Sequence, residues 1–210
     1  MKILLVDDHA MVRAGFRLIL EEEIVGAEVS EAATASEALE AARHTTFNVV
    51  VLDISLPGRS GLEVLKELRE MSRSVPILMM TMYPEDEYAL RSFRAGAAGY
   101  LTKHSAPDEL VQAILKVVSG GKYVSAHMAE KLATSISDLD RASQPHHSLS
   151  DRELQVLRML GDGKTVKDIA RELDISEKTI STYRTRILEK LDLRSTAQLI
   201  RYAIRAGLVE

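Results

Sequence analysis

Phe47-Asn48-Val49-Val50-Val51-Leu52-Asp53-Ile54-Ser55-Leu56-Pro57-Gly58 is the stretch on which the fold turns. From Phe47 to Leu52 it is β-rich and almost continuously apolar, without the alternation of a half-exposed strand. Such a run predicts a strand buried on both faces, as in parallel sheets. It ends on a carboxylate, Asp53, before the turn pair Pro57-Gly58. Two other runs share its character: Lys2–Val6, followed at once by Asp7-Asp8, and Pro76–Met80, followed by Thr81. Ala27–Ala32 and Gly99–Leu101 read as shorter strands. Between them apolar residues recur at helical spacing, as in Val12, Phe16, Ile19 and Leu20, then Leu62, Leu65 and Leu68, then Leu90 and Phe93, then Leu110, Ile114, Val117 and Val118. Repeated strand–helix units predict an α/β doubly wound domain with a five-stranded parallel sheet over residues 1–120.

Composition bounds the rest. A chain of 210 residues with 46% hydrophobic residues has room for one large or two small folded domains. Apolar runs such as Val49–Leu52 and Ile77–Met80 are far shorter than the ~20 residues of a membrane helix. Asp7 and Asp8 interrupt any signal-peptide core, so a cytoplasmic protein without membrane contact is expected. Cysteine is absent, which removes disulfides, thiol catalysis and Cys-based zinc sites. The net charge of −4 is unevenly spread. Residues 1–120 hold 12 Lys/Arg against 18 Asp/Glu, residues 121–145 three of each, and residues 146–210 12 against 10. An acidic part joined to a mildly basic one points to two domains with different partners.

Ligands of doubly wound sheets bind beyond the carboxyl ends of the strands, at the switch point between the first and third. Asp7, Asp8 and Asp53 would meet there. At ~5 Å and an effective dielectric of ~20, each pair of carboxylates repels by about 3 kcal/mol, so the cluster calls for a cation. All-oxygen ligands favour a hard ion, Mg²⁺ before Zn²⁺. Thr81 and Lys103, at the ends of the fourth and fifth strands, add a hydroxyl and a mobile ammonium. Together these groups suit phosphoryl transfer onto a carboxylate, with Asp53 as nucleophile because it stands alone on its loop.

Gly120-Gly121 closes the first domain. Residues 121–148 read as a linker helix, Ser125–Ile136, and a polar tether, Ser137–Ser148, whose His146-His147 pair is expected to be solvated. Residues 149–210 form a small all-α domain of four helices. Ser150-x-x-Glu153 and Thr165-x-x-Asp168 are capping boxes, Asp174-Ile175-Ser176 is a tight turn, and Ser176 caps a third helix to about Leu191, with a fourth over about Thr196–Ala206. Two short helices across such a turn are a helix-turn-helix signature. On the third helix Ile180, Ile187, Leu188 and Leu191 share one face. The other collects Lys178, Ser181, Thr182 and Thr185, with Arg184 and Arg186 flanking, Thr179 beside them and Lys190 beyond. A face rich in donors suits the major groove of double-stranded DNA.

On Val6-Asp7-Asp8-His9, Asp53 with Leu56-Pro57-Gly58-x-x-Gly61, Thr81, and Gly96-Ala97-x-Gly99-Tyr100-Leu101-x-Lys103, residues 1–120 resemble the receiver domain of bacterial two-component response regulators. On Leu149-Ser150-x-Arg152-Glu153, Ile169-Ala170-x-x-Leu173 and Ile175-Ser176-x-Lys178-Thr179-Ile180, the C-terminal part resembles the LuxR-type DNA-binding domain. The pairing resembles the NarL/FixJ branch. The resemblance implies a CheY-like sheet order and a phosphoryl group passed from a sensor histidine kinase to Asp53. It implies Mg²⁺ on Asp8, Asp53 and the Ser55 carbonyl, with Asp7 acting through water. Thr81 and Tyr100 would be a switch pair, although Tyr100 read from its residue type alone is half-buried packing. Promoter DNA would be bound by a homodimer formed through the fourth helix (Leu199, Ile200, Tyr202, Ala203 and Leu208), with RNA polymerase a possible further partner. The chain would catalyse only its own phosphorylation and dephosphorylation.

Two other classes of protein share parts of this pattern. A phosphatase of the haloacid dehalogenase type needs Asp-x-Asp after the strand, and Ile54-Ser55 follow Asp53 instead. A ligand-gated helix-turn-helix regulator leaves Thr81 and Lys103 without a purpose.

Overall fold

The computed structural model describes residues 1–82, 85–104, 107–126, 128–130 and 145–209. The chain divides into two compact units, Met1–Leu139 and Asp140–Glu210. The first contains β1 (Lys2–Val6), α1 (Ala10–Glu23), β2 (Glu28–Ala32), α2 (Ala35–His44), β3 (Val49–Asp53), α3 (Gly61–Met71), β4 (Ile77–Thr81), α4 (Glu85–Arg94), β5 (Gly99–Thr102) and α5 (Pro107–Val118). Its five strands are all parallel, in the order β2-β1-β3-β4-β5.

The strand interiors explain the order. β3 and β4 are buried at every residue and take inner places, while β2 is exposed along most of its length and lies at the edge. Ile3, Leu5, Val49, Val51, Leu78 and Met80 meet Leu20 of α1 and Leu110, Ile114 and Val117 of α5 on one face. α2 and α3 pack together on the other. Helix α2 left little trace in the sequence, because its buried face is built from Ala35, Ala38 and Leu39 rather than from a stripe of large residues. Thr34 caps it through the Glu37 N–H.

β1 and β3 pair in register, Val6 beside Leu52, so Asp7 and Asp53 leave adjacent strands at the same level. Two glycines serve this end of the sheet and the strand beyond it. A Cβ on Gly61 would lie 1.9 Å from the Asp53 carbonyl oxygen, so only glycine lets α3 begin against the loop that follows β3. A Cβ on Gly99 would meet Leu78 and Tyr123 at 2.8 and 2.9 Å, where Tyr123 bridges the open edge of β5.

The second unit holds a 3₁₀ turn (Pro145–Ser148), then α6 (Asp151–Gly161), α7 (Val166–Glu172), α8 (Glu177–Lys190) and α9 (Thr196–Arg205). Both expected capping boxes form, at Ser150/Glu153 and Thr165/Asp168. Asp174, at φ 51°, takes the left-handed conformation that turns α7 into α8. The expected linker helix and tether lie mostly outside the described residues. Within reach, Met128 is buried, and His146 departs from its expected solvated state. It is 3% exposed, with Nδ1 2.9 Å from the Tyr202 hydroxyl.

Candidate functional site

Four side chains meet beyond the ends of β1, β3 and β5. Asp7 and Asp53 are fully buried. The Lys103 ammonium lies 2.6 Å from Oδ2 of each. The Ser55 N–H donates to the Asp53 Oδ1 at 3.1 Å, fixing the carboxylate plane from the other side. Asp8 stands at the rim, its Oδ1 2.7 Å from the His9 Nδ1. One ligand atom from each of Asp7, Asp8, His9 and Asp53 falls within 4.8 Å of the others. Thr81 closes β4 and is fully buried; it pairs with Thr102 in register, one residue before Lys103.

The electrostatics follow from this burial. Desolvation pushes the Asp53 carboxyl above the usual carboxylate range, against the pull of Lys103, and the Asp7 charge adds to the rise. For Lys103 burial works against the ammonium, but Asp53 and Asp7 outweigh it and raise its pKa. One cation thus serves two buried carboxylates, with Asp8 a third acid beside them. Buried oxygens in excess of the nearby positive charge are a donor set that fits a hard divalent ion.

Tyr100 differs from its expected half-burial and is 1% exposed. β5 is an edge strand, yet Tyr123 bridges its outer side and α4 packs against it, so the ring is enclosed. Two further residues belong to the site, His9, which stands in the motif without a role of its own, and Arg13, which the sequence does not single out. His9 contacts both Asp7 and Asp8, and Arg13 donates to the Asp7 carbonyl at 2.6 Å. Their positions two and six residues after Asp7, at the start of a helix, were the available signal.

In the second unit α8 presents Lys178, Thr182, Thr185 and Arg186 as exposed residues on one side, with Thr179, Ser181 and Arg184 half-buried beside them. Ile180 and Ile187 face the core. Thr182 and Thr185 donate back to the carbonyls of Lys178 and Ser181, four residues earlier. Lys190 is different, since its ammonium lies 2.6 Å from Oε2 of the buried Glu153. That ion pair ties α8 to α6 and engages the Lys190 ammonium within the unit. Tyr183, half-buried beside Lys178 and Arg186, was missed in the sequence, where an aromatic among cations was the signal. The fourth helix closes its own domain's core, with Ile200 and Tyr202 only half-buried. Leu199, Ala203 and Leu208 are buried in their own unit, because the helix has one apolar stripe and closes the small core with it. Ile204 is its exposed large apolar residue, 52% accessible.

A doubly wound domain with a buried aspartate cluster, followed by a helix-turn-helix domain, defines a DNA-binding regulator with an acid-site input domain. Residues 3–115 match the family described as response regulator receiver domain, and residues 147–203 match bacterial regulatory proteins, luxR family. The chain is 40% identical over 207 residues to the response regulator UvrY of Escherichia coli K12, covering 98% of this chain and 94% of that protein. It is 37% identical over 210 residues to the response regulator GacA of Pseudomonas aeruginosa, covering 100% and 98%. Among solved structures, RcsB from Salmonella enterica serovar Typhimurium, bound to promoter rprA in the presence of phosphomimetic BeF3-, aligns with a TM-score of 0.64 at 26% identity, covering 96% of this chain and 98% of that one. The chain belongs to the NarL/FixJ family of two-component response regulators, with a receiver and a LuxR-type DNA-binding domain, and it regulates transcription. No helix among the described residues is long and apolar enough to cross a membrane.

Proposed function

We propose that Asp53 is the phosphoacceptor and that its phosphorylation controls DNA binding through α8. The observation that carries this is the fully buried Asp53 carboxylate at the end of β3, held between the Ser55 N–H and the Lys103 ammonium. An Asp53 oxygen attacks phosphorus, the P–N bond of a kinase phosphohistidine breaks, and an acyl phosphate forms as the imidazole leaves. Lys103 already neutralises charge at this point and can follow a phosphoryl oxygen as its negative charge arrives. Asp8, Asp53 and the Ser55 carbonyl would hold Mg²⁺, with Asp7 reaching it through water. Bound there, the ion offsets the repulsion between phosphoryl oxygens and the acid cluster. Self-catalysed phosphorylation from a small donor and self-catalysed hydrolysis belong to the same site.

Thr81 is the switch hydroxyl, which turns toward the new phosphoryl oxygens and donates to one of them. Tyr100, enclosed in the neighbouring strand, is the group whose packing reports that move. Lys178, Thr179, Ser181, Thr182, Arg184, Thr185 and Arg186 form the DNA-facing side of α8, while Lys190 is set aside for the Glu153 pair. The RcsB structure, bound to a promoter in the presence of a phosphate mimic, supports reading both domains together. The active species is a homodimer on promoter DNA, working in the cytoplasm with a cognate histidine kinase. The test is mass spectrometry after incubation with acetyl phosphate and Mg²⁺. Wild type gains one phosphoryl group and Asp53→Asn gains none; equal labelling of both would move the acceptor elsewhere.

A further inference from the structure

The first unit carries a second concentration of charge, opposite in sign to the acid site and at the other end of the sheet. Arg69, in the last turn of α3, donates from Nε and Nη2 to the Gly96 carbonyl at 2.8 and 2.6 Å. Its Nη1 donates to the carbonyls of Arg73 and Val75 at 2.8 and 3.0 Å. Its charge is therefore fixed by carbonyl oxygens, with no carboxylate. Arg73 and Arg94 are exposed and line the same cleft of about 540 Å³, together with Arg69, Glu70, Ala95 and Gly96. Next to it the Lys122 ammonium rests on the Ala97 carbonyl at 2.6 Å.

Among the described residues none of these four cations pairs with a carboxylate. Burial lowers the pKa of Arg69, and burial followed by the Arg69 charge lowers that of Lys122, which marks a cluster short of negative charge. Helix dipoles account for part of it, since Arg69 and Arg94 sit in the last turns of α3 and α4. They do not account for Arg73 and Lys122, which lie beyond those helices. Four cations against Glu70 leave a net charge of +3 in a domain that is otherwise acidic.

We propose that this cleft binds a diphosphate group, free as pyrophosphate or carried by a nucleotide. Arg73 and Arg94 keep their full guanidinium forks for paired hydrogen bonds to phosphoryl oxygens. Lys122 retains two donors beyond its carbonyl bond, and Arg69 supplies a fixed background charge. Three separated cationic donors exceed what a single carboxylate or phosphate can satisfy, and they match two linked phosphoryl groups. The cleft precedes β5 and Lys103 follows it, so the length of that strand separates the new site from the acid cluster.

Calorimetric titration of the full-length protein with pyrophosphate, a nucleoside 5′-diphosphate and orthophosphate tests this, in chelator-treated buffer at constant ionic strength. Pyrophosphate is expected to bind at one site, at least tenfold tighter than orthophosphate. Arg73→Ser with Arg94→Ser should weaken it at least tenfold, and Lys178→Ser with Arg186→Ser on α8 should leave it unchanged. If the nucleotide binds tighter still, the diphosphate is carried by a base and sugar; if it binds equally, the free anion suffices. The proposal is overturned by absent binding, by equal binding to the Arg73/Arg94 double variant, by loss in the α8 variant instead, or by a Glu-rich peptide of equal charge displacing pyrophosphate. Arg69 is left intact because its carbonyl bonds hold the end of α3.

Discussion

At the scale of single residues, the acid site depends on a glycine as much as on its aspartates. Gly61 has no room for a methyl group, because the Asp53 carbonyl oxygen would lie 1.9 Å from it. Gly61→Ala must push apart the start of α3 and the end of β3, the two pieces that hold Asp53. The expected cost is about 1–3 kcal/mol of stability, by the mechanism of overpacking, together with loss of labelling by acetyl phosphate even where the variant stays folded. Thermal melts and mass spectrometry check both parts; unchanged labelling would mean that the loop tolerates the shift. The aspartates, Thr81 and Lys103 were legible because each ends a recognisable strand. The need for Gly61 was not, since it arises from a backbone approach that only three dimensions bring about. Tyr100 and His146 were misjudged for a related reason: what encloses them, Tyr123 and Tyr202, lies 23 and 56 residues away along the chain.

At the scale of elements, the C-terminal helices carry two separable stability devices. Glu153 caps α6 through the Ser150 N–H and pairs with Lys190 of α8. Burial pushes its pKa up, but Lys190 and Ser150 outweigh burial and the net shift is downward. A depressed folded-state pKa stabilises the fold above the unfolded value, roughly 4.3, and this contribution is lost as pH falls through the folded value. Glu153→Gln should therefore cost about 1 kcal/mol near pH 7, and its melting curve should converge with that of wild type as the pH is taken below about 4. A constant difference across that range would show that the charge contributes nothing. The second device is the turn after α7. Asp174 holds φ 51° without being glycine, so Asp174→Gly should stabilise the unit by roughly 0.5–1 kcal/mol in denaturant unfolding. Destabilisation would show that the Asp174 side chain has a role of its own. Capping boxes and turn were read directly from the sequence, because each is a local pattern of three or four residues. Helix α2 was not, because alanines bury a face without marking it.

At the scale of the whole molecule, the net charge of −4 is the sum of two unlike parts. The acidic excess belongs to the domain that gathers three carboxylates at one site, while the mild basic surplus of residues 146–210 is concentrated along α8. The two-domain order and sheet topology were legible because strand–helix alternation changes to a purely helical pattern along the chain. That the fourth helix closes its domain's core was not, because one apolar stripe serves a domain core and a dimer contact equally well on paper. The central claim is that phosphorylation at Asp53 changes what α8 does. Its most direct test is the affinity of the full-length protein for its promoter DNA at fixed salt, measured with and without acetyl phosphate, in wild type and Asp53→Asn. Phosphorylation should tighten wild-type binding at least tenfold, about 1.4 kcal/mol of coupling, and leave Asp53→Asn unchanged. Equal affinity of the two wild-type forms, or an equal response of Asp53→Asn, would contradict it.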